Sequence, residues 1–182
     1  MNPAMPAQAG AQFISLILFL FAARWYVLPR LARLERATAL TALLWVHVFR
    51  YVALQIFSAQ HSGFPISDAG ARDIVLGDVG GAVIAFVAIL LLRRGSRVAV
   101  GLAWLLVAET AYDTVSNIRD GIREHLMGAA NGITWMTLVY FVPLVIVSAG
   151  LIAHQLYSRR GEALRPATPR PSRGAAGTPS LA

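Results

Sequence analysis

The chain has 182 residues, of which 57% are hydrophobic and only 14% charged, and the apolar residues come in long blocks. Soluble domains carry about 25% charged residues, so this composition is typical of a protein that lies in a lipid bilayer. The absence of cysteine excludes disulfides, thiolate metal sites, cysteine nucleophiles and covalently attached haem. The net charge of +7 comes from 16 arginines, placed mostly between and after the apolar blocks. This placement indicates membrane topology and not nucleic-acid binding.

Five apolar blocks predict five transmembrane helices. The second to fifth blocks each have roughly the twenty residues needed to cross a ~30 Å hydrocarbon core at about 1.5 Å per residue, and the first is short but long enough for a tilted helix. The first block ends in Trp25, Tyr26 and Pro29, an interfacial aromatic pair and a helix-terminating residue. We interpret it as a retained helix and not as a secretory signal peptide, because residues 1–12 carry no Lys or Arg. The predicted helices span about 13–28, 38–59, 74–92, 98–117 and 133–157, within one transmembrane domain of residues 1–157.

The arginines predict the orientation of the helices. Three lie in the first loop, three in the turn between the third and fourth blocks and five after the fifth block, whereas the opposite side has only Arg72, Arg119 and Arg123. Cytoplasmic loops are the ones enriched in Lys and Arg. We therefore expect an all-α bundle with its N-terminus outside and its C-terminus inside, in the inner membrane of the cell. Residues 158–182, rich in Arg, Pro, Gly and Ser, predict a disordered cytoplasmic tail.

The fourth block carries polar residues along one helical face. Glu109, Asp113 and Asn117 follow one another every four residues, and Ser116 and Asp120 fall within the same arc of about 100°. Ionisable residues inside a membrane cost roughly 2.5 to 3.5 kcal/mol each, so they tend to be paired and to face the bundle interior. One face of this helix is therefore predicted to be wet or paired.

The second and third blocks supply the complement to that face. His47, Arg50, Tyr51 and Ser58 are predicted to share one face of the second helix, and Asp78 lies about one turn from the outer end of the third. The second and fourth helices both run outward, which puts Arg50 at the depth of Glu109. We therefore predict a polar cluster in the outer half of the bundle.

In that cluster Arg50 pairs with Glu109 or Asp113, with His47, Asp78 and Asn117 nearby. Because three acids face one arginine, at least one acid should be protonated, bind a cation or pair with His47. Two interpretations stay open. The charges either fix helix register, or they form a site for a proton, ion or small solute.

Two further features concern helix packing. Gly77, Gly81 and Ala85 recur every four residues and predict a face that allows close approach of another helix. Pro143 lacks an N–H and predicts a kink in the fifth helix.

The histidines give little support to a metal or cofactor. His61 and His125 lie on the outer side with acids near them, and they are the external candidates for a metal ligand, although we expect no metal site. His47 and His154 lie at different depths and do not suit haem held between two helices. No zinc-protease or serine-hydrolase motif occurs, so no catalytic residue is assigned and no cofactor is expected.

Between about residues 45 and 143 the chain resembles a family of small bacterial membrane proteins of unknown activity. The resemblance rests on His47 to Arg50, Gly77 with Asp78, Asp113, and Tyr140 to Pro143. It implies a bacterial source and implies no activity.

Two function hypotheses follow from the sequence. The first is a small accessory membrane component that binds a partner protein or a second copy of the chain. The alternative is a carrier or conduit for a proton, ion or small solute through the polar cluster. The expected partners are the lipid bilayer, a membrane protein and a small ligand, and not nucleic acid.

Overall fold

The structure is a computed structural model that describes residues 3–164. Over this range it is all-helical, and five helices are long and apolar enough to cross a membrane, which confirms the predicted fold class at that level. They are α1 (Ala4–Leu31), α2 (Arg36–His61), α3 (Asp68–Arg93), α4 (Val98–Arg123) and α5 (Gly132–Ser158). The predicted tail lies outside the described residues from position 165 onward.

All five helices extend beyond the apolar blocks that predicted them, α4 by the whole segment from Ile118 to Arg123. Hydropathy marks only the part of a helix that lies in hydrocarbon, whereas the helix itself continues as long as its residues favour it. The largest difference is at α1, which begins at Ala4 because the polar leader is rich in Ala and Gln, both good helix formers. At the start of α3, the Ser67 hydroxyl caps the helix by accepting from the N–H of Gly70.

Two helices contain a wider π-helical turn, and each lies just before a proline. The turn Ala23–Val27 precedes Pro29, and the turn Thr137–Phe141 precedes Pro143. Proline has no N–H, and its ring collides with the carbonyl one turn earlier, so a wider turn relieves both problems. In α5 this distortion stands where the kink was predicted.

Helix α2 tightens into a 3₁₀ segment at Phe49–Leu54. A 3₁₀ helix advances by about 120° per residue and not 100°, so side chains beyond its start rotate away from the predicted face. Arg50 is buried, but Tyr51 and Ser58 are exposed. The prediction that all of them share one face was therefore wrong for Tyr51 and Ser58.

The main apolar core fills one end of the bundle. It joins the beginning of α2 and α4 to the ends of α3 and α5. At the same end Arg159 donates to the carbonyls of Leu31 and Leu34 and pairs with Glu162 at 2.6 Å, which lowers the pKa of the Glu162 carboxyl. The core residues include Leu40, Leu44, Ala85, Ala88, Ile89, Leu92, Ala99, Ala103, Leu106, Ile152 and Leu156.

The other end of the bundle has a smaller apolar core, and hydrogen bonds and close backbone contacts join its loops. Glu124, just after α4, accepts hydrogen bonds from the backbone N–H and the hydroxyl of Ser67, both at 2.9 Å. Gly128 has a positive φ of 82° and lies so close to the backbone of Met5 that a side chain there would collide. Helix α1 packs mainly against α5 and is the least buried of the five. The polar cluster lies between the two cores.

Candidate functional site

Arg50 is the centre of the polar cluster. The 3₁₀ segment of α2 directs its side chain into the bundle, where only 1% of it is exposed. Its Nε donates to Asp78 Oδ1 at 2.7 Å, and its Nη1 donates to Glu109 Oε2 at 2.6 Å and to the Thr110 hydroxyl at 3.2 Å. Its Nη2 donates to Glu109 Oε1 and Asp113 Oδ2, both at 3.0 Å. All five N–H donors of a guanidinium are thereby used.

The three acids around Arg50 are less buried than Arg50 itself. The side chains of Asp78, Glu109 and Asp113 are 22%, 20% and 16% exposed. Both oxygens of Glu109 accept from Arg50, whereas Asp78 Oδ2 and Asp113 Oδ1 accept no hydrogen bond from the residues that the structure describes. Asn117 Nδ2 donates to the other oxygen of Asp113 at 3.1 Å. The cluster therefore has no free guanidinium donor but two free carboxylate oxygens.

Two glycines of α3 make room for this arrangement. A Cβ at Gly81 would meet Arg50 Nη1 and lie 2.7 Å from Arg50 Cζ and 2.9 Å from Glu109 Oε2. A Cβ at Gly77 would meet Asp113 Oδ1. The small-residue face predicted for α3 therefore accommodates the side chains of the polar cluster as well as a neighbouring helix.

His47 lies one turn before Arg50 on α2 and is completely buried. Neither ring nitrogen has a hydrogen-bond partner among the residues that the structure describes. Within these residues His47 is not the partner of the surplus acid, so the predicted pairing of an acid with His47 is not found.

A cavity of about 450 Å³ opens beside the cluster and is lined by all five helices. Arg50, Asp78 and Asp113 line its inner part, and Asp120 and Glu124 line the part near the end of α4. At about 1.5 Å per residue, the lining extends along α4 from Thr110 to Arg123, roughly 20 Å. The main apolar core lies beyond Arg50. The cavity therefore lies in the half of the bundle opposite that core.

Helix α1 contributes polar groups to the cavity wall. Gln8 is 5% exposed, and its Oε1 has no hydrogen-bond partner among the described residues. Gln12 donates to the carbonyl of Leu138, which lies in the π-helical turn of α5. The unpartnered oxygen of Gln8 is itself buried, so the acceptors that this cavity offers to a ligand are the carboxylates.

The sequence-predicted site residues separate into those the structure brings together and those it does not. Arg50 contacts Asp78, Glu109 and Asp113, so the predicted choice between Glu109 and Asp113 is resolved in favour of both. The external candidates His61 and His125 are exposed, and residues 3–164 contain no group of three His, Asp or Glu side chains that could hold a metal ion.

Sequence reasoning missed three residues of the site. Thr110 was not considered because a threonine in an apolar helix usually bonds its own backbone, although its position next to Glu109 was a usable signal. Gln8 and Gln12 were missed because α1 was predicted to begin at residue 13. The Ala- and Gln-rich composition of the first twelve residues was the available signal for them.

Comparison with known proteins assigns a family but no activity. None of the curated proteins and none of the solved structures compared with the chain matches it. Residues 8–157 match the family described as "Domain of unknown function (DUF8737)", and this match includes the whole Arg50 cluster and its cavity. It extends well beyond the segment on which the resemblance was based. Because it covers most of the sequence, the chain belongs to the DUF8737 family.

Proposed function

We propose that this multi-pass protein binds a small solute or ion in the cavity beside Arg50 and carries it across the inner membrane of a bacterium. The observation that carries the proposal is the cavity itself, which reaches partly exposed acids in the interior of five apolar helices. A cluster that only fixed helix register would need no cavity of about 450 Å³ beside it. Membrane carriers commonly bind their substrates near the middle of the bilayer.

The orientation is part of the proposal. Arg36, Arg93 and Arg94 lie at the end of the bundle that contains the main core, and we place this end in the cytoplasm. The cavity then lies in the outer half. Because the main core lies between Arg50 and the cytoplasmic end, transport requires that packing to open during the cycle.

Cysteine accessibility tests this proposal, since the chain has no cysteine of its own. Thr114 lines the cavity next to Asp113, and Thr114→Cys is a small change that removes one methyl group and the hydroxyl that donates to the Thr110 carbonyl. In oriented vesicles, a membrane-impermeant thiol reagent should modify this cysteine from the outer face and, during transport, from the inner face as well.

Ser96→Cys is the matched control. Ser96 lies in the short turn between α3 and α4 and should react from the cytoplasmic face alone. Reaction of Ser96→Cys from the outer face would overturn the orientation. Absence of any reaction at Thr114→Cys would overturn the carrier, and reaction from one face alone would reduce it to a binding site. The accessory-component hypothesis predicts one of the last two results.

A further inference from the structure

Resting on the proposed function, we propose that the solute is an organic ammonium ion with an apolar body. Three features of the cavity beside Arg50 indicate this ligand class: the hydrogen-bonding groups of the cluster that are still free, the balance of charge and the chemistry of the cavity wall.

The free hydrogen-bonding groups of the Arg50 cluster are acceptors, and the other arginine of the cavity wall, Arg123, lies at the far end of α4, where it pairs with Asp120. Arg50 has no donor left for an anionic ligand, because its five N–H groups already meet Asp78, Glu109, Thr110 and Asp113. Asp78 Oδ2 and Asp113 Oδ1 accept nothing from the described residues. A ligand that fits this set must donate hydrogen bonds.

The charge of the cluster favours a cation. Three carboxyl groups surround a single guanidinium, and Asn117, the other donor to these carboxyls, is neutral. A positively charged donor compensates this surplus and also meets the free oxygens, and hydrogen bonds to charged groups are roughly twice as strong as neutral ones. An anion placed here would face these carboxyl groups with no free donor of Arg50 to bind it.

The walls of the cavity select against a bare inorganic cation. Phe13, Leu16, Ile118, Phe141, Val145 and Ile146 supply a largely apolar surface above the acids. Calcium requires about six to eight oxygen ligands, and the described residues hold no group of three side chains suited to a metal. A volume of about 450 Å³ is within the usual range for an organic ligand. An ammonium group at the acids with its apolar body against these walls satisfies both parts of the cavity.

Ligand protection of Thr114→Cys tests the ligand class. The cysteine is modified by a small neutral thiol reagent in the presence of benzylamine, which is protonated near neutral pH, or of benzyl alcohol or benzenesulfonate. These probes share an aromatic body and differ in charge. Benzylammonium should slow the modification at least about tenfold more than either other probe, a preference equivalent to about 1.4 kcal/mol.

Two variants locate the effect. Asp78→Asn should abolish the advantage of benzylammonium, whereas Asp68→Asn should keep it, because Asp68 is the first residue of α3, bonded to Gln60 and away from Arg50. The comparison of the three probes in the unchanged cluster remains decisive if Asp78→Asn fails to fold. Equal protection by all three, or stronger protection by benzenesulfonate, would overturn the ligand class while the cavity stays accessible. Failure of the cysteine to react with any reagent would instead overturn the proposed function.

Discussion

Replacing Gly81 with alanine should destabilise the protein strongly, although alanine favours helix over glycine by about 1 kcal/mol. The new Cβ would lie 2.7 Å from Arg50 Cζ and closer still to Nη1, whereas ordinary contacts begin near 3.4 Å, so the guanidinium must retreat by more than about 0.7 Å. Arg50 cannot yield cheaply, because it is 1% exposed and all of its donors are bonded. Loss of two hydrogen bonds to charged groups, at about 1.5 to 3 kcal/mol each, leaves a net destabilisation of about 2 to 5 kcal/mol.

Gly80→Ala is the matched control for this change. Gly80 is the preceding residue of α3, and a Cβ there meets nothing within 4 Å. This variant should be unchanged or up to about 1 kcal/mol more stable. The assay is reversible unfolding in mixed micelles of a mild detergent and dodecyl sulfate, followed by circular dichroism. Equal stability of the two variants would refute the position assigned to the Arg50 guanidinium.

Three further predictions concern other parts of the structure. Arg50→Gln should lower the free energy of unfolding by about 3 to 5 kcal/mol, because it leaves three carboxyls without their cation. Adding Glu109→Gln should recover part of this loss in the same assay, and simple additivity of the two changes would contradict the shared network. Gln12→Leu removes the hydrogen bond between α1 and the Leu138 carbonyl and should lower the free energy of unfolding by about 0.6 kcal/mol, with about 1.7 kcal/mol as an upper limit. A loss several times larger would mean that Gln12 stabilises the bundle by more than this hydrogen bond. Arg159 lowers the pKa of Glu162 below its ordinary value of 4.5, so this carboxylate stabilises the fold above that pH and loses the effect as the pH falls through its lowered pKa. Melting curves across the acid range should therefore show a smaller loss of stability for Glu162→Gln than for the unchanged chain. Parallel curves for the two proteins would contradict the contact.

The helices were predictable because their signal is local. A block of about twenty apolar residues has few alternatives to a transmembrane helix, since unpaired backbone groups are not tolerated in hydrocarbon. The association of Arg50 with Glu109 and Asp113 was also accessible from sequence. It follows from matching depth along helices that run in the same direction, together with the cost of leaving an intramembrane charge unpaired.

The rest of the site depends on geometry that the sequence does not encode locally. The 3₁₀ segment of α2 rotates Tyr51 outward and lets Arg50 reach acids on two helices at once. Gly81 was recognised only as a small residue for helix packing, and its contact with Arg50 requires the positions of three helices to be known. The burial of His47 without a partner was likewise not foreseeable, because its depth alone allowed a pair with an acid.

The central claim, that the cavity beside Arg50 binds a small cationic ligand, is tested most directly by native mass spectrometry of the protein gently extracted from its own membranes. We expect a bound organic amine that is retained in Asp68→Asn and lost in Asp78→Asn. A protein that carries no small molecule but holds a second protein in fixed stoichiometry would contradict the claim, and it would favour the accessory component with Arg50 and its acids as structural pairs.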